Sequence, residues 1–231
     1  MEVAAPLDRP LVTLLAGALS ADLEVLVDLI TDNGEGRVAL DNTVKTLLVS
    51  NRVRGTLQSI PEVLDAEIRA FGSNSIATLF RSGGVSYSEL AVDVAKKLGG
   101  KPPANADIYT IEDIVIREAV RKYVGEGALS NTTSLTVYIG QIVNSLVAAA
   151  GTAAGIAASA GTAGFASTIG SRLVSLVAPP LAIAAVGATV FQAAGPAFRI
   201  TIPAVLQVAK IRRARYDADF ASYAESFRAC M

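Results

Sequence analysis

Residues 127 to 198 carry a single charged side chain, Arg172, in a chain of 231 residues. A solvated surface helix has polar or charged residues along its outer face, so a stretch of this kind is typical of chain that is buried in lipid or in protein. About 20 mainly apolar residues cross the hydrocarbon core of a bilayer, and Leu135 to Gly170 and Leu173 to Ala194 are both longer. The pattern predicts a hydrophobic helical hairpin that turns near Arg172. A break near residues 161 to 164 would give three helices instead.

The first part of the stretch is mostly Ala and Gly, which contribute little transfer free energy into lipid. Small residues recur at every fourth position of one helical face, where they would let another helix approach closely. We therefore predict helix packing through Gly151, Gly155, Ser159, Ala163 and Ser167. In so Ala-rich a segment, simple low complexity is the alternative.

The second part is richer in Leu, Val and Ile and is the better candidate for membrane insertion. The residues expected to insert are Leu176, Val177, Leu181, Ile183, Val186 and Phe191. Pro179 and Pro180 lie among them, and proline removes backbone donors and kinks or breaks a helix. A shorter hairpin that never crosses the bilayer is therefore also compatible with the pattern.

Residues 1 to 125 read as short amphipathic helices, and no alternating strand pattern of similar length competes with them. We predict an all-α chain with a helical N-terminal domain at 1–125, the glycine-rich hydrophobic hairpin at 126–198 and a basic amphipathic helix at 199–231. Hydroxyl residues three positions before a carboxylate are typical of capping boxes. The predicted helix starts are Ser20, Asp41 or Asn42, Ser59 with Glu62, Ser86 with Glu89, and Thr110 with Asp113.

The C-terminal helix is expected to begin with Thr201 as its cap and Pro203 in its first turn, and to pack back on the N-terminal domain. A dense basic patch follows, formed by Lys210, Arg212, Arg213 and Arg215. Basic clusters beside an apolar segment bind lipid headgroups, and a plain solvated helix face is the alternative. Nucleic acid is a less expected partner.

The residue inventory argues against an enzyme. The chain has no histidine and one cysteine, Cys230, so a histidine-dependent triad or a zinc site of thiolates and imidazoles cannot form within one chain. Glu112 and Asp113 are adjacent acids that fit the positive end of a helix dipole better than a catalytic pair. No metal, cofactor or nucleotide site is predicted. The first ten residues lack the basic region of a classical signal peptide.

Two stretches resemble the YaaW family of bacterial proteins. The run Phe198 to Ala209, followed by Arg212 and Arg213, is similar to the C-terminal motif of that family, and Phe71 to Ala77 with Asp93 to Leu98 is similar to its middle region. The resemblance implies no catalytic residues, because the family is uncharacterised. Its middle region is grouped with ubiquinol-cytochrome c chaperones, helical factors that help a membrane protein to assemble.

These observations lead us to expect a non-enzymatic membrane-associated helical protein that inserts or oligomerises through its hairpin, with membrane perturbation as one form of that activity. The alternative is a soluble helical assembly chaperone that binds a protein client. Basic residues flank the apolar region on both sides, which places both ends in the cytoplasm if the hairpin is in a membrane. The expected location is the bacterial cytoplasm or the cytoplasmic side of the inner membrane.

Overall fold

The computed structural model describes residues 8–37, 40–73, 85–126, 135–150 and 197–229. Within these ranges the chain forms eight α-helices and one short 3-10 turn, with no strand. The predicted all-α class is therefore confirmed for the described residues. The helices are α1 (Leu11–Ala16), α2 (Ser20–Thr31), α3 (Asn42–Arg54), α4 (Pro61–Ser73), α5 (Tyr87–Leu98), α6 (Ile108–Tyr123), α7 (Leu135–Ala150) and α8 (Phe198–Ala229).

Two helix starts lie where the local sequence places them. Ser86 accepts a hydrogen bond from the backbone of Glu89, and the Glu89 carboxylate accepts one from the Ser86 backbone, which together form a capping box at α5. The Asp41 side chain accepts from the backbone amides of Thr43 and Val44 at the start of α3. Both caps satisfy amides that have no partner inside the helix.

Other helix starts differ from the prediction. The cap of α6 is Asp107, whose carboxylate accepts from the Thr110 amide at 2.7 Å, so Thr110 lies inside the helix. Helix α2 begins at Ser20 itself, and the Ser20 hydroxyl instead accepts from the Gln58 side chain at 2.8 Å. Ser59 lies in the 3-10 turn Leu57–Ser59, where its hydroxyl donates to the Thr56 carbonyl. At α6 the neighbouring acid Asp107 takes the capping position. At α2 the Ser20 hydroxyl is engaged in a tertiary contact with Gln58.

Helix α8 forms the centre of the bundle. Every residue from Ile200 to Ala209 is buried, and α8 packs against α1, α2, α4, α5, α6 and α7. A helix that is buried on all sides needs mainly apolar residues all round. This run supplies them, apart from Thr201 and Gln207, whose side chains donate to the Ala197 and Asp22 carbonyls. The prediction that α8 packs on the N-terminal helices is confirmed. Its predicted start at Thr201 is wrong, because the helix begins at Phe198 and the Thr201 hydroxyl donates to the Ala197 carbonyl.

Helix α7 opens the uncharged stretch and buries one face in the same core. Ile139, Ile142, Val143 and Leu146 are at most 3% exposed, with the spacing of one helical face. Each such side chain contributes roughly 1.5–3 kcal/mol on burial. The face packs on α8, α6 and α2. Among the helices that the structure describes, none is both long and apolar enough to cross a membrane.

Candidate functional site on the C-terminal helix

A buried polar cluster fixes the middle of α8. The Nε of Arg212 donates to Oε2 of Glu112 at 2.9 Å, and the hydroxyl of Tyr87 donates to Oε1 of the same carboxylate at 2.8 Å. The Arg212 guanidinium also donates to the backbone carbonyl of Arg9 at 2.7 Å. The cluster therefore joins α5, α6, α8 and the segment before α1 around one carboxylate.

Burial controls the protonation of this cluster. It raises the pKa of Glu112, although the charge of Arg212 and the Tyr87 hydrogen bond act in the opposite direction. Burial also raises the pKa of Tyr87 well above its ordinary value, so its phenol stays protonated as a donor. Each carboxylate oxygen of Glu112 has a protein donor. The cluster is a structural link between these helices, because its polar atoms bond to one another.

The remaining basic residues of the predicted lipid patch lie in ion pairs along α8. Lys210 contacts Asp22 of α2 at 2.7 Å, and Arg213 pairs with Asp113 of α6. Arg215 contacts Asp219 of its own helix at 3.1 Å and is 47% exposed. Arg212 is enclosed by protein at 2% exposure. Contact of these four side chains with lipid headgroups stays a prediction, and Arg215 presents the largest exposed fraction of the four.

The structure also places an aromatic row on α8 beyond the basic residues. The Tyr216 ring lies 5.9 Å from the ring of Tyr109 on α6 and 6.4 Å from the ring of Phe220. The guanidinium of Arg213 lies over the Tyr109 ring at 5.4 Å, within the range of a cation–π contact. From residue 214 onwards, no described side chain of α8 is buried. We call residues 214–229 the C-terminal arm.

Three large aromatic side chains on the arm are open to solvent. Phe220, Tyr223 and Phe227 are 64%, 75% and 62% exposed. Their spacing of three and four residues puts them on one helical face, and that spacing is the sequence pattern from which they are recognisable. Asp219 on the arm contacts Arg9 at 2.8 Å, which ties the base of the arm to the segment before α1.

The two helices that flank residues 151–196 are packed against each other. Helix α7 ends at Ala150 and α8 begins at Phe198, and the two helices are in direct contact. The Arg37 guanidinium donates to the Ala150 carbonyl at 3.3 Å and to the Leu29 carbonyl at 3.0 Å. A cation that bonds the last carbonyl of a helix also interacts favourably with the helix dipole. The bundle therefore holds Ala150, the residue directly before residues 151–196.

The predicted helix-packing and membrane-insertion residues lie outside the described residues. They are Gly151, Gly155, Ser159, Ala163 and Ser167, and Leu176, Val177, Leu181, Ile183, Val186 and Phe191. Within the described ranges, no group of three or more His, Cys, Asp or Glu side chains is placed to hold a metal ion.

Comparison of the chain with protein-family models, with curated proteins and with solved structures finds no match. Membership of the YaaW family therefore stays a prediction that rests on the residues of this sequence.

Proposed function

We propose that this chain is a non-enzymatic, membrane-associated helical protein in which the bundle is the anchor and residues 151–196 are the inserting or packing element. One observation carries the proposal. Helices α7 and α8 lie on either side of this segment in the sequence, and they pack directly on each other. The segment between them has one charged residue, Arg172. A segment held at both ends by one bundle can enter a bilayer as a hairpin and return. The Leu, Val and Ile residues of 173–194 would supply the insertion free energy.

The electrostatics of the bundle fit this role. The charge near the start of the segment is neutralised locally, since Arg37 bonds the Ala150 carbonyl and lies 3.7 Å from Asp32. Burial lowers the pKa of Arg37, and the nearby Asp32 opposes that effect. On α8, Lys210, Arg213 and Arg215 can face anionic headgroups, and Arg215 is the most exposed of these three.

Carbonate extraction of membranes tests the proposal. The full chain should sediment with membranes and resist extraction, and Leu181→Arg should release it while leaving the unfolding curve of the bundle unchanged. Val53→Arg is the matched control, because Val53 is 82% exposed on α3 and far in sequence from the segment. Recovery of the full chain as a soluble monomer without detergent would overturn the proposal.

A soluble assembly chaperone is a second candidate, and one observation favours it. The described start of the uncharged stretch, α7, buries Ile139, Ile142, Val143 and Leu146 in protein. If the rest of the stretch is buried in protein in the same way, it does not contact lipid. Under this alternative Leu181→Arg unfolds the chain, because the arginine would replace an apolar side chain in a protein core.

A further inference from the structure

The exposed rings of the C-terminal arm continue a face that is buried in the bundle. Tyr216, Phe220, Tyr223 and Phe227 are spaced by four, three and four residues, which is the spacing of the apolar positions of a coiled-coil heptad. We call these four residues the aromatic seam. Carried back along α8, the same spacing passes Arg213, which pairs with Asp113, and then reaches Ala209, Leu206 and Ile202, all of which are buried.

The first ring of the seam therefore packs within the bundle, and the other three are exposed to solvent. Tyr216 is packed on Tyr109, whereas Phe220, Tyr223 and Phe227 are each more than 60% exposed. Isolated exposed apolar residues are common on proteins, but a contiguous row of rings is typical of an interaction site. A helix with its apolar stripe in this register is completed by a second helix.

We propose that the arm pairs antiparallel with the arm of a second copy of this chain, about a two-fold axis between residues 221 and 222. That axis coincides with the midpoint of the arm, residues 214–229, so the two bundles lie at opposite ends of the paired arms. Around it, Phe220 of each copy meets Tyr223 of the other, and Tyr216 meets Phe227. Each layer then joins one phenylalanine and one tyrosine, whose hydroxyl can remain at the wet edge.

The charges of the arm fit a second copy better than a lipid surface. The arm carries Asp217, Asp219 and Glu225 against Arg215 and Arg228, and Arg215 is already paired with Asp219. Beyond Arg215 the arm has three acids and one arginine, a balance that disfavours anionic headgroups, whereas helices that lie on membranes have basic polar faces. In the antiparallel register Asp217 faces Ala224 of the second copy, so it meets no like charge.

The exposed ring area implies a weak dimer. A fully buried aromatic side chain covers about 150–250 Å², and the three exposed rings of each copy would bury roughly two thirds of that each. The pair of arms thus gains about 600–1,000 Å² from the rings, below the roughly 1,200–2,000 Å² of stable interfaces. The association should accordingly depend on protein concentration.

Sedimentation velocity of the full chain over a concentration series tests the proposal, in buffer or in detergent as the chain requires. The wild-type sedimentation coefficient should rise with concentration, and Phe220→Glu should weaken that association by at least about tenfold. Val53→Glu, at an apolar residue of α3 that is more exposed than Phe220, should behave as wild type. Association through residues 151–196 would be the same in all three proteins, and an unchanged response of Phe220→Glu would overturn the proposal.

Cysteine cross-linking tests the register. In a Cys230→Ser background, mixing Phe220→Cys with Tyr223→Cys should give a disulfide-linked dimer, because these positions face each other only in the antiparallel arrangement. Efficient cross-linking of each variant with itself would indicate parallel arms and contradict the proposal. A wild-type monomer that binds phosphatidylcholine vesicles through Phe220 would also overturn it, since lipid would then be the occupant.

Discussion

The Nε of Arg212 lies 2.9 Å from Oε2 of Glu112, and the two side chains are 2% and 3% exposed. One hundred residues separate them in sequence. Because a buried charge is stable only when it is paired and hydrogen-bonded, this contact fixes how far α8 enters the bundle and which face it turns towards α6. The buried run Ile200 to Ala209 lies on one side of this contact along α8, and the exposed arm lies on the other.

Removing one member of this pair should be costly. Arg212→Met leaves the Glu112 carboxylate buried with Tyr87 as its only side-chain donor among the described residues, and we expect the free energy of unfolding to fall by about 3–5 kcal/mol. Urea unfolding at neutral pH measures it. The additional change Glu112→Gln should recover part of the loss, because the amide needs no counter-charge.

The exposed pair of Arg121 with Glu118 is the matched control for this experiment. The two side chains approach to 2.7 Å, with Arg121 47% exposed, and pairs of this kind contribute about 0.2–1 kcal/mol. Arg121→Met should therefore shift the urea midpoint only slightly. Equal effects of Arg121→Met and Arg212→Met would contradict the role given to the buried pair.

Tyr123 and Tyr87 offer a test of buried hydroxyl groups. The Tyr123 hydroxyl is buried and has no hydrogen-bond partner in the described part of the chain, and burial raises the pKa of Tyr123 to about 12. An unsatisfied buried polar group costs about 1–3 kcal/mol, so Tyr123→Phe should raise the free energy of unfolding. Tyr87→Phe should lower it, because it removes the donor to Glu112. Thermal unfolding of both variants checks the sign, and a destabilised Tyr123→Phe would refute this interpretation.

The cap of α6 should make stability depend on pH. Hydrogen bonds from Thr110 lower the pKa of Asp107 below its ordinary value. A carboxylate whose pKa is lower in the folded state stabilises above its unfolded pKa, and that contribution is lost as the pH falls through the folded value. Asp107→Ala should therefore lower the free energy of unfolding by about 1 kcal/mol at pH 7, with a smaller difference from wild type in acid.

Asp107→Asn is the control for that titration. Asparagine caps a helix about as well as aspartate and does not titrate, so this variant should keep most of its stability at neutral pH. Urea unfolding at several pH values between neutral and acid compares the three proteins. A constant gap between Asp107→Ala and wild type across this range would show that the charge of Asp107 is unimportant.

Two glycines should respond to alanine in opposite directions. A Cβ on Gly100 would lie 2.5 Å from Cγ2 of Ile114 and 3.1 Å from the Ala95 carbonyl oxygen, so Gly100→Ala should destabilise the α5–α6 turn by about 1–3 kcal/mol. Gly140 lies within α7, and apart from its chain neighbours and the backbone of its own helix no described atom is within 4 Å of its added Cβ. Gly140→Ala should stabilise by about 0.5–1 kcal/mol. Urea midpoints that moved in the same direction would contradict this.

Local signals predicted much of the fold, with errors of a few residues at helix starts. The Ser86 capping box depends only on two residues three apart in the chain, and it forms. At α6 the prediction takes Thr110 as the cap, whereas Asp107 caps the helix three residues earlier. Sequence spacing alone does not decide which of two nearby polar residues caps a helix when each can bond the free amides.

The ion pairs of the site on α8 are harder to predict from the sequence. Glu112 reads as an ordinary acid of a first helical turn, because its partner Arg212 is on a helix that only the tertiary fold brings close. The same holds for Lys210 with Asp22 and Arg213 with Asp113. A run of basic residues shows charge density, but whether those charges face lipid or buried acids is decided by packing.

Excision of residues 151–196 tests the central claim most directly. A flexible linker of about 12 Gly and Ser residues has an r.m.s. span of roughly 20 Å, which suits two helices that pack on one another. The fraction of chain in the carbonate-washed membrane pellet should then fall from nearly all for the full chain to nearly none for the excised chain, which should still unfold cooperatively. Equal partition of the two proteins would contradict the account.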